Sequence, residues 1–161
     1  MLSADAQQGL KSYLEGPLLE QIHIENKQNV PADITFIFGH THKPFSQDMS
    51  FAGYPMWIKV YNSGGWVVDT LQPMELYGAA VILIDETLQS TSLRLYNQAA
   101  SAGGYTVRVE ESTHPGVTSS RFHERINALV KPASEPWKTF SETVSEAVKL
   151  HQQVLQTKIN L

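Results

Sequence analysis

Cysteine is absent from the 161-residue chain. Without cysteine there is no disulfide framework and no thiolate metal site, so any metal ion must be held by nitrogen and oxygen ligands. An excess of basic residues is also missing: the formal net charge is −4, and no basic stripe could neutralise the phosphates of a nucleic acid. We therefore expect neither a disulfide scaffold nor a nucleic-acid-binding protein.

Long apolar runs are lacking as well. No stretch approaches the roughly 18–20 apolar residues that span a bilayer, and Met1 to Gln8 has neither the basic region nor the apolar core of a signal peptide. These absences predict a soluble, cytoplasmic protein with no membrane segment, unless a signal upstream of Met1 has been lost. The length is sufficient for one domain with a core of its own.

The most informative stretch is a short apolar run followed by two histidines. Ile34–Phe38 is rich in β-branched and aromatic residues, which is typical of a strand buried on both faces within an α/β sheet. The chain can turn sharply at Gly39. His40 and His42 then lie at the carboxyl end of the strand, where open α/β sheets bind their ligands.

The spacing of the histidines favours a metal site. In extended backbone, alternate side chains point to the same side, about 6.6 Å apart. Two such imidazoles can converge on one metal ion, or can serve two ions held about 3.5–4 Å apart. A surface loop that carries histidines by chance is the alternative. The strand, Gly39 and the stiff Lys43-Pro44 ending favour the metal site.

Two motifs together resemble a known family. The segment Asp33–Pro44, with its Gly39-His40-Thr41-His42 core, resembles the last motif block of the calcineurin-like metallophosphoesterases. Further on, Asn62-Ser63-Gly64 resembles the Asn-(Ser/Thr)-Gly turn that follows that block in the family. The resemblance covers roughly Leu18 to Tyr96.

The resemblance implies a fold and a pair of ions. The expected fold class is α/β (α+β): a partial metallophosphoesterase sandwich of mixed β-sheet flanked by helices, with C-terminal helices appended. Residues 1–100 would form the C-terminal half of that domain, and residues 101–161 would form an extended strand or linker and a helical region. The complete enzyme would bind two divalent metal ions (manganese, iron or zinc), one through His40 and one through His42, and would hydrolyse a phosphate ester.

The turn after the next predicted strand is a candidate substrate-binding element. Asn62, Ser63 and Gly64 offer an amide, a hydroxyl and backbone N–H groups, which together could hydrogen-bond a phosphate. An ordinary turn is the alternative, since these residue types are common turn formers.

Most of the family's metal ligands are missing. The chain contains no Asp-x-His, no Gly-Asp-x-x-Asp and no Gly-Asn-His block, and neither His23 nor His114 has the context of the family's isolated histidine. We therefore expect weak metal binding and no useful turnover by this chain alone, with a missing N-terminal half or another chain as partner. Two other interpretations stay open: a non-catalytic protein-binding module that retains the fold, and a small independent metal-binding protein.

Periodicity and turn residues predict the remaining elements. If the neighbours of the Ile34–Phe38 strand lie in a missing half, an unpaired strand edge or an exposed apolar strip should result. Phe45–Gly53 is predicted to be a loop, and Gly16-Pro17 is predicted to break the first helix. The predicted helices are Ser3–Glu15, Leu18–Lys27, Ser120–Val130 and Trp137–Ile159, and the other strands are Met56–Tyr61, Ala79–Asp85, Leu93–Tyr96 and Tyr105–Glu110.

Overall fold

A computed structural model describes residues 2–68, 70–112, 114 and 116–159. The described chain has an α+β fold with two three-stranded sheets. The helices are α1 Ala4–Tyr13, α2 Leu19–Glu25, α3 Arg121–Leu129 and α4 Trp137–Ile159. The strands are β1 Thr35–Phe38, β2 Phe45–Met49, β3 Ile58–Asn62, β4 Gly78–Ile84, β5 Ser90–Asn97 and β6 Arg108–Glu110.

The N-terminal helices are continuous rather than interrupted. Ser3 caps α1, because its side chain accepts a hydrogen bond from the Ala6 amide. The predicted break at Gly16-Pro17 is wrong: Leu14–Leu18 forms a π-helical turn that joins α1 to α2. In a π turn the hydrogen bonds run five residues back, and this altered pattern accommodates a proline that donates none.

The first sheet has the strand order β1-β3-β2. β1 runs parallel to β3, and β2 runs antiparallel to it. β1 is therefore an edge strand within the described residues, and its Ile37 side chain is 40% exposed. The expectation of burial on both faces is wrong, because Phe36 and Phe38 pack against the cluster around Leu14 whereas Ile37, on the opposite face, stays exposed. The predicted unpaired edge is confirmed for the described part of the chain, where β1 pairs with β3 on one side.

β2 corrects a second prediction. Phe45–Met49 was expected to lie in a loop, but it pairs along its full length with β3. Its polar residues suit an edge position: Gln47 is exposed, and Asp48 accepts a 2.5 Å hydrogen bond from the Ser112 hydroxyl. Pairing with a neighbour, rather than the propensity of its own residues, makes this segment a strand.

The second sheet is antiparallel, with the order β4-β5-β6. The predicted hairpin of β4 and β5 is confirmed, with a register irregularity between Ala79 and Ala80. β6 pairs with β5. Strands from the predicted regions 1–100 and 101–161 therefore belong to one sheet. The predicted helices α3 and α4 are also confirmed, and each packs against this sheet through apolar side chains, Ile126 on α3 and Val148 on α4.

β3 contacts both layers of the fold. Ile58 and Val60 point towards α1 and share a buried cluster with Leu10 and Leu14. Tyr61 points to the opposite side, where its hydroxyl donates to the Ser90 carbonyl at 2.9 Å and accepts from the Ser112 amide at 3.1 Å. None of the described helices combines the length and the apolar character that a membrane crossing requires.

Candidate metal centre

The two histidines lie on a loop that crosses the end of β3. Because β3 lies between β1 and β2, the connecting loop Gly39–Pro44, here called the histidine loop, must pass over the carboxyl end of β3. Asn62 is paired with Phe38 on one side and with Phe45 on the other. The structure thus brings the histidine loop next to the asparagine turn, Asn62–Gly65, and all the predicted site residues lie in these two segments.

The histidines are not in extended backbone. His40 has φ 76° and His42 has φ 56°, so the expected extended arrangement is wrong. The reason is the sharp reversal needed between β1 and β2. A positive φ in a residue other than glycine costs about 1–3 kcal/mol and persists only where the surroundings enforce it.

The two imidazoles are neighbours. Their ring centres lie 6.4 Å apart and their planes make an angle of 78°. His40 is exposed and His42 is partly buried. The His42 ring lies against the backbone of Gly65, where an added Cβ would come within 2.3 Å of its Cδ2 atom. Gly65 therefore makes room for the His42 ring, a role that the sequence reasoning did not assign to it.

The ring separation can be compared with metal geometry. Because a Zn–N bond is about 2.0–2.1 Å long, two imidazoles that share one tetrahedral ion must bring their ring centres closer than the observed 6.4 Å. As placed, the two rings therefore do not share one tetrahedral ion. Within the described residues, no three His, Cys, Asp or Glu side chains are grouped so that they could hold a metal ion.

Most polar groups of the asparagine turn have partners within the protein. The Asn62 side chain is fully buried, and its Nδ2 donates to Thr41 Oγ1 while its Oδ1 accepts from the Gly64 amide at 2.9 Å. The amides of Ser63 and Gly65 donate to the carbonyls of Phe38 and Gly78, at 2.8 and 3.0 Å.

These partners narrow the ways in which the turn could contact a substrate. The Asn62 side-chain amide connects the asparagine turn to the histidine loop, and the three backbone N–H groups donate to β1, to β4 and to the Asn62 side chain. As placed, none of these groups is offered to a phosphate. The Ser63 hydroxyl lies beside Gly39, where an added Cβ would come within 2.7 Å of it. Substrate binding by Asn62, Ser63 and Gly64 stays a prediction.

Besides the bond from Asn62 to Thr41, hydrogen bonds to its backbone tie the histidine loop to the rest of the described fold. The His40 amide donates to the Gly64 carbonyl at 3.2 Å, and the His42 carbonyl accepts from the Gly78 amide at 3.0 Å. The Pro44 carbonyl accepts from Arg94 Nη2 at 2.8 Å. The last two donors belong to β4 and β5, so the second sheet holds the loop that carries the histidines.

Arg94 is a buried cation. It is 8% exposed, and its Nη2 also forms a 2.8 Å ion pair with Glu110 Oε2. Burial lowers the pKa of Arg94, and the neighbouring Glu110 carboxylate opposes that shift. An arginine stays protonated in proteins, so the group acts as a permanent donor. Burial likewise raises the pKa of Tyr61, which keeps its hydroxyl neutral where the two sheets meet.

Comparison with known proteins adds no relative: no family model, curated protein or solved structure matches the chain. The functional interpretation therefore depends on the residues and the geometry described above.

Proposed function

We propose that this chain supplies the histidine part of a binuclear, metal-dependent phosphoesterase site of the calcineurin-like type. The observation that carries the proposal is the histidine loop itself. It places two imidazoles side by side, 6.4 Å apart, just beyond the carboxyl end of β1. Positive φ alone does not mark the site, since Lys27, Gln28 and Leu88 share it. The proposal rests on the proximity of the two imidazoles.

The residues present fit part of such a centre. His40 and His42 would each donate one imidazole nitrogen to a separate divalent ion. The carboxylates needed to neutralise two divalent ions are not grouped with them in the described residues. In the proposed enzyme they would come from an N-terminal half or from another chain, and the two sheets of this chain would form part of the family's sandwich.

The chain's own residues would have limited roles in the reaction. When bound, two divalent ions polarise a phosphate ester and lower the pKa of bound water. The histidine loop would hold the imidazoles in place, and the Asn62 amide would fix the loop against the asparagine turn. The Ser63 hydroxyl is the polar group of the turn that we propose for contact with a phosphate oxygen. Since only neutral imidazole binds metal, acid should weaken the site.

The first test is a titration of the chain with Mn²⁺, read by NMR on the histidine ring protons. We expect broadening of the His40 and His42 signals at millimolar metal, weaker at acidic than at neutral pH. His40→Ala and His42→Ala should each weaken the effect at the remaining ring. His151→Ala, an exposed histidine on α4, is the matched control and should change nothing at the loop.

The second test is a phosphatase assay with Mn²⁺ and an aryl phosphate diester. We expect no useful turnover from this chain alone. Robust turnover that is lost in His42→Ala would contradict the proposal that the site is incomplete. Absence of any metal effect at either histidine, together with a stable protein partner in a pull-down, would instead favour the non-catalytic binding module.

A further inference from the structure

A buried arginine in the second sheet contacts the end of the histidine loop. Arg94 lies on β5, and its Nη2 donates both to the Pro44 carbonyl and to Glu110 Oε2, each at 2.8 Å. Pro44 is itself buried. Its ring lies next to Gly64, where an added Cβ would come within 2.7 Å of the Pro44 Cδ atom. Arg94 therefore contacts the loop at its least movable residue.

The position of this contact matters because of proline's stiffness. Pro44 has a fixed φ and restricts the conformation of Lys43, so holding its carbonyl also limits the backbone that leads back to His42. The other side of the same segment is tied by the bond from the Gly78 amide to the His42 carbonyl, at 3.0 Å. Between them, β4 and β5 hold the loop on both sides of Lys43.

The strain in the loop requires such restraints. Both histidines have positive φ, a conformation that relaxes unless neighbouring contacts enforce it. A hydrogen bond from a charged donor is stronger than a neutral one, and burial protects it from exchange with water. Among the described hydrogen bonds that tie the loop to the rest of the fold, the one from Arg94 has a charged donor.

We propose that Arg94 is a positioning residue for the candidate metal site, and that its bond to the Pro44 carbonyl sets the orientation of the His40 and His42 imidazoles. The inference rests on the proposed function for its metal-binding part. Its structural part stands independently of metal. Glu110 holds the guanidinium in place, and the pair couples β5 and β6 to the histidine loop.

The experiment compares Arg94→Met with a matched control, Arg108→Met. Arg108 also pairs with Glu110, at 3.6 Å, but its side chain is 43% exposed against 10% for Arg94, and no bond joins it to the histidine loop among the described residues. We expect Arg94→Met to fold, because the Glu110 side chain is 29% exposed and keeps Arg108 as a partner. Two readouts are followed in each variant: hydrogen exchange at the His40 and Gly78 amides, and Mn²⁺ broadening of the two histidine rings.

In Arg94→Met, both amides should exchange at least about tenfold faster, as expected when a hydrogen bond to a charged group is lost. Metal affinity should fall by a similar factor, while amides in the middle of α4 stay unchanged. Arg94→Lys retains a buried cationic donor, so we expect it to recover part of the amide protection and part of the metal affinity that Arg94→Met loses. Arg108→Met should match the unmodified chain in both readouts. If Arg94→Met fails to fold, Arg94→Lys decides the question, with faster exchange expected at the His40 and Gly78 amides alone.

The possible failures can be told apart. If the unmodified chain shows no metal effect at either histidine, the proposed function fails, and the exchange data still decide the role of Arg94. If metal binds but Arg94→Met leaves exchange at His40 and Gly78 unchanged, then Arg94 does not position the loop. A uniform increase of exchange throughout α4 and β5 would also overturn the inference, since it would show a general loss of stability.

Discussion

Strands β1 and β5 reverse the usual relation between hydropathy and burial. β1 consists of threonine, phenylalanine, isoleucine and phenylalanine, yet it lies at a sheet edge and none of its residues is fully buried. β5 contains serine, threonine, arginine and asparagine, yet it is the central strand of its sheet and every residue except Leu95 is buried. Position within the sheet, rather than composition, determines how deeply these strands lie.

β5 can be buried because most of its polar groups have partners. Thr91 Oγ1 donates to the Glu110 carbonyl at 3.1 Å, and Asn97 Nδ2 donates to the Gly104 carbonyl at 2.9 Å. Arg94 pairs with Glu110. A buried polar group costs little once it is hydrogen-bonded and a great deal when it is not. The contrast between the strands therefore predicts opposite sensitivities to substitution.

The largest expected effect compares two truncations to alanine. Leu93 on β5 is 9% exposed and belongs to a buried cluster with Val107 and Val130, so Leu93→Ala should lower the free energy of unfolding by about 2–5 kcal/mol. Ile37→Ala on β1 should cost less than about 1 kcal/mol, since the side chain is already partly in water. Urea unfolding followed by tryptophan fluorescence measures both. Equal losses would show that β1 is covered in solution.

The intermediate effect compares the hydrogen bonds of the two strands through threonine-to-valine substitutions, which leave the side-chain volume nearly unchanged. Thr91→Val leaves the Glu110 carbonyl and His123 Nδ1 without the hydroxyl that contacts both, so we expect a loss of about 1–3 kcal/mol. Thr35→Val on β1 removes only a 3.4 Å contact with the Ser90 hydroxyl, and thermal unfolding should barely shift. A larger loss of stability in Thr35→Val than in Thr91→Val would contradict the expected difference between the strands.

The smallest effect on stability concerns the open edge. Ile37→Lys should change the free energy of unfolding by no more than about 0.5 kcal/mol. It should reduce self-association at high concentration, because a charged edge strand resists pairing with another chain. Val154→Lys on α4, outside both sheets, is the matched control, with 44% exposure against 40% for Ile37. Static light scattering measures the self-association. If it falls equally in both variants, the added charge alone explains the reduction.

Local signals predicted much of the fold. The helical period of Trp137–Ile159 gave the bounds of α4 as the structure has them, and the turn residues around Glu86 identified the β4–β5 hairpin. The failures concern features that a single segment does not encode. A π turn accommodates Pro17, and Phe45–Met49 is a strand because β3 is available to pair with it.

The candidate site was predictable only in part. Only Thr41 separates His40 from His42 in the sequence, so their proximity could be inferred. Their unusual backbone could not, since it follows from the need to cross β3. Arg94 was missed because it lies 50 residues away from its partner Pro44. Nothing in the sequence around Arg94 indicates that its side chain would reach the Pro44 carbonyl.

The bonds from Gly78 and Arg94 to the histidine loop have a consequence for the order in which the protein folds. Contacts between residues far apart in sequence form late, because the intervening chain must first lose its freedom. The helices and the first sheet can assemble from early, local segments, whereas the loop acquires its final shape only after the β4–β5 hairpin has docked. In a chain whose hairpin has not yet docked, both imidazoles would be present on the loop, but their rings would have no fixed orientation.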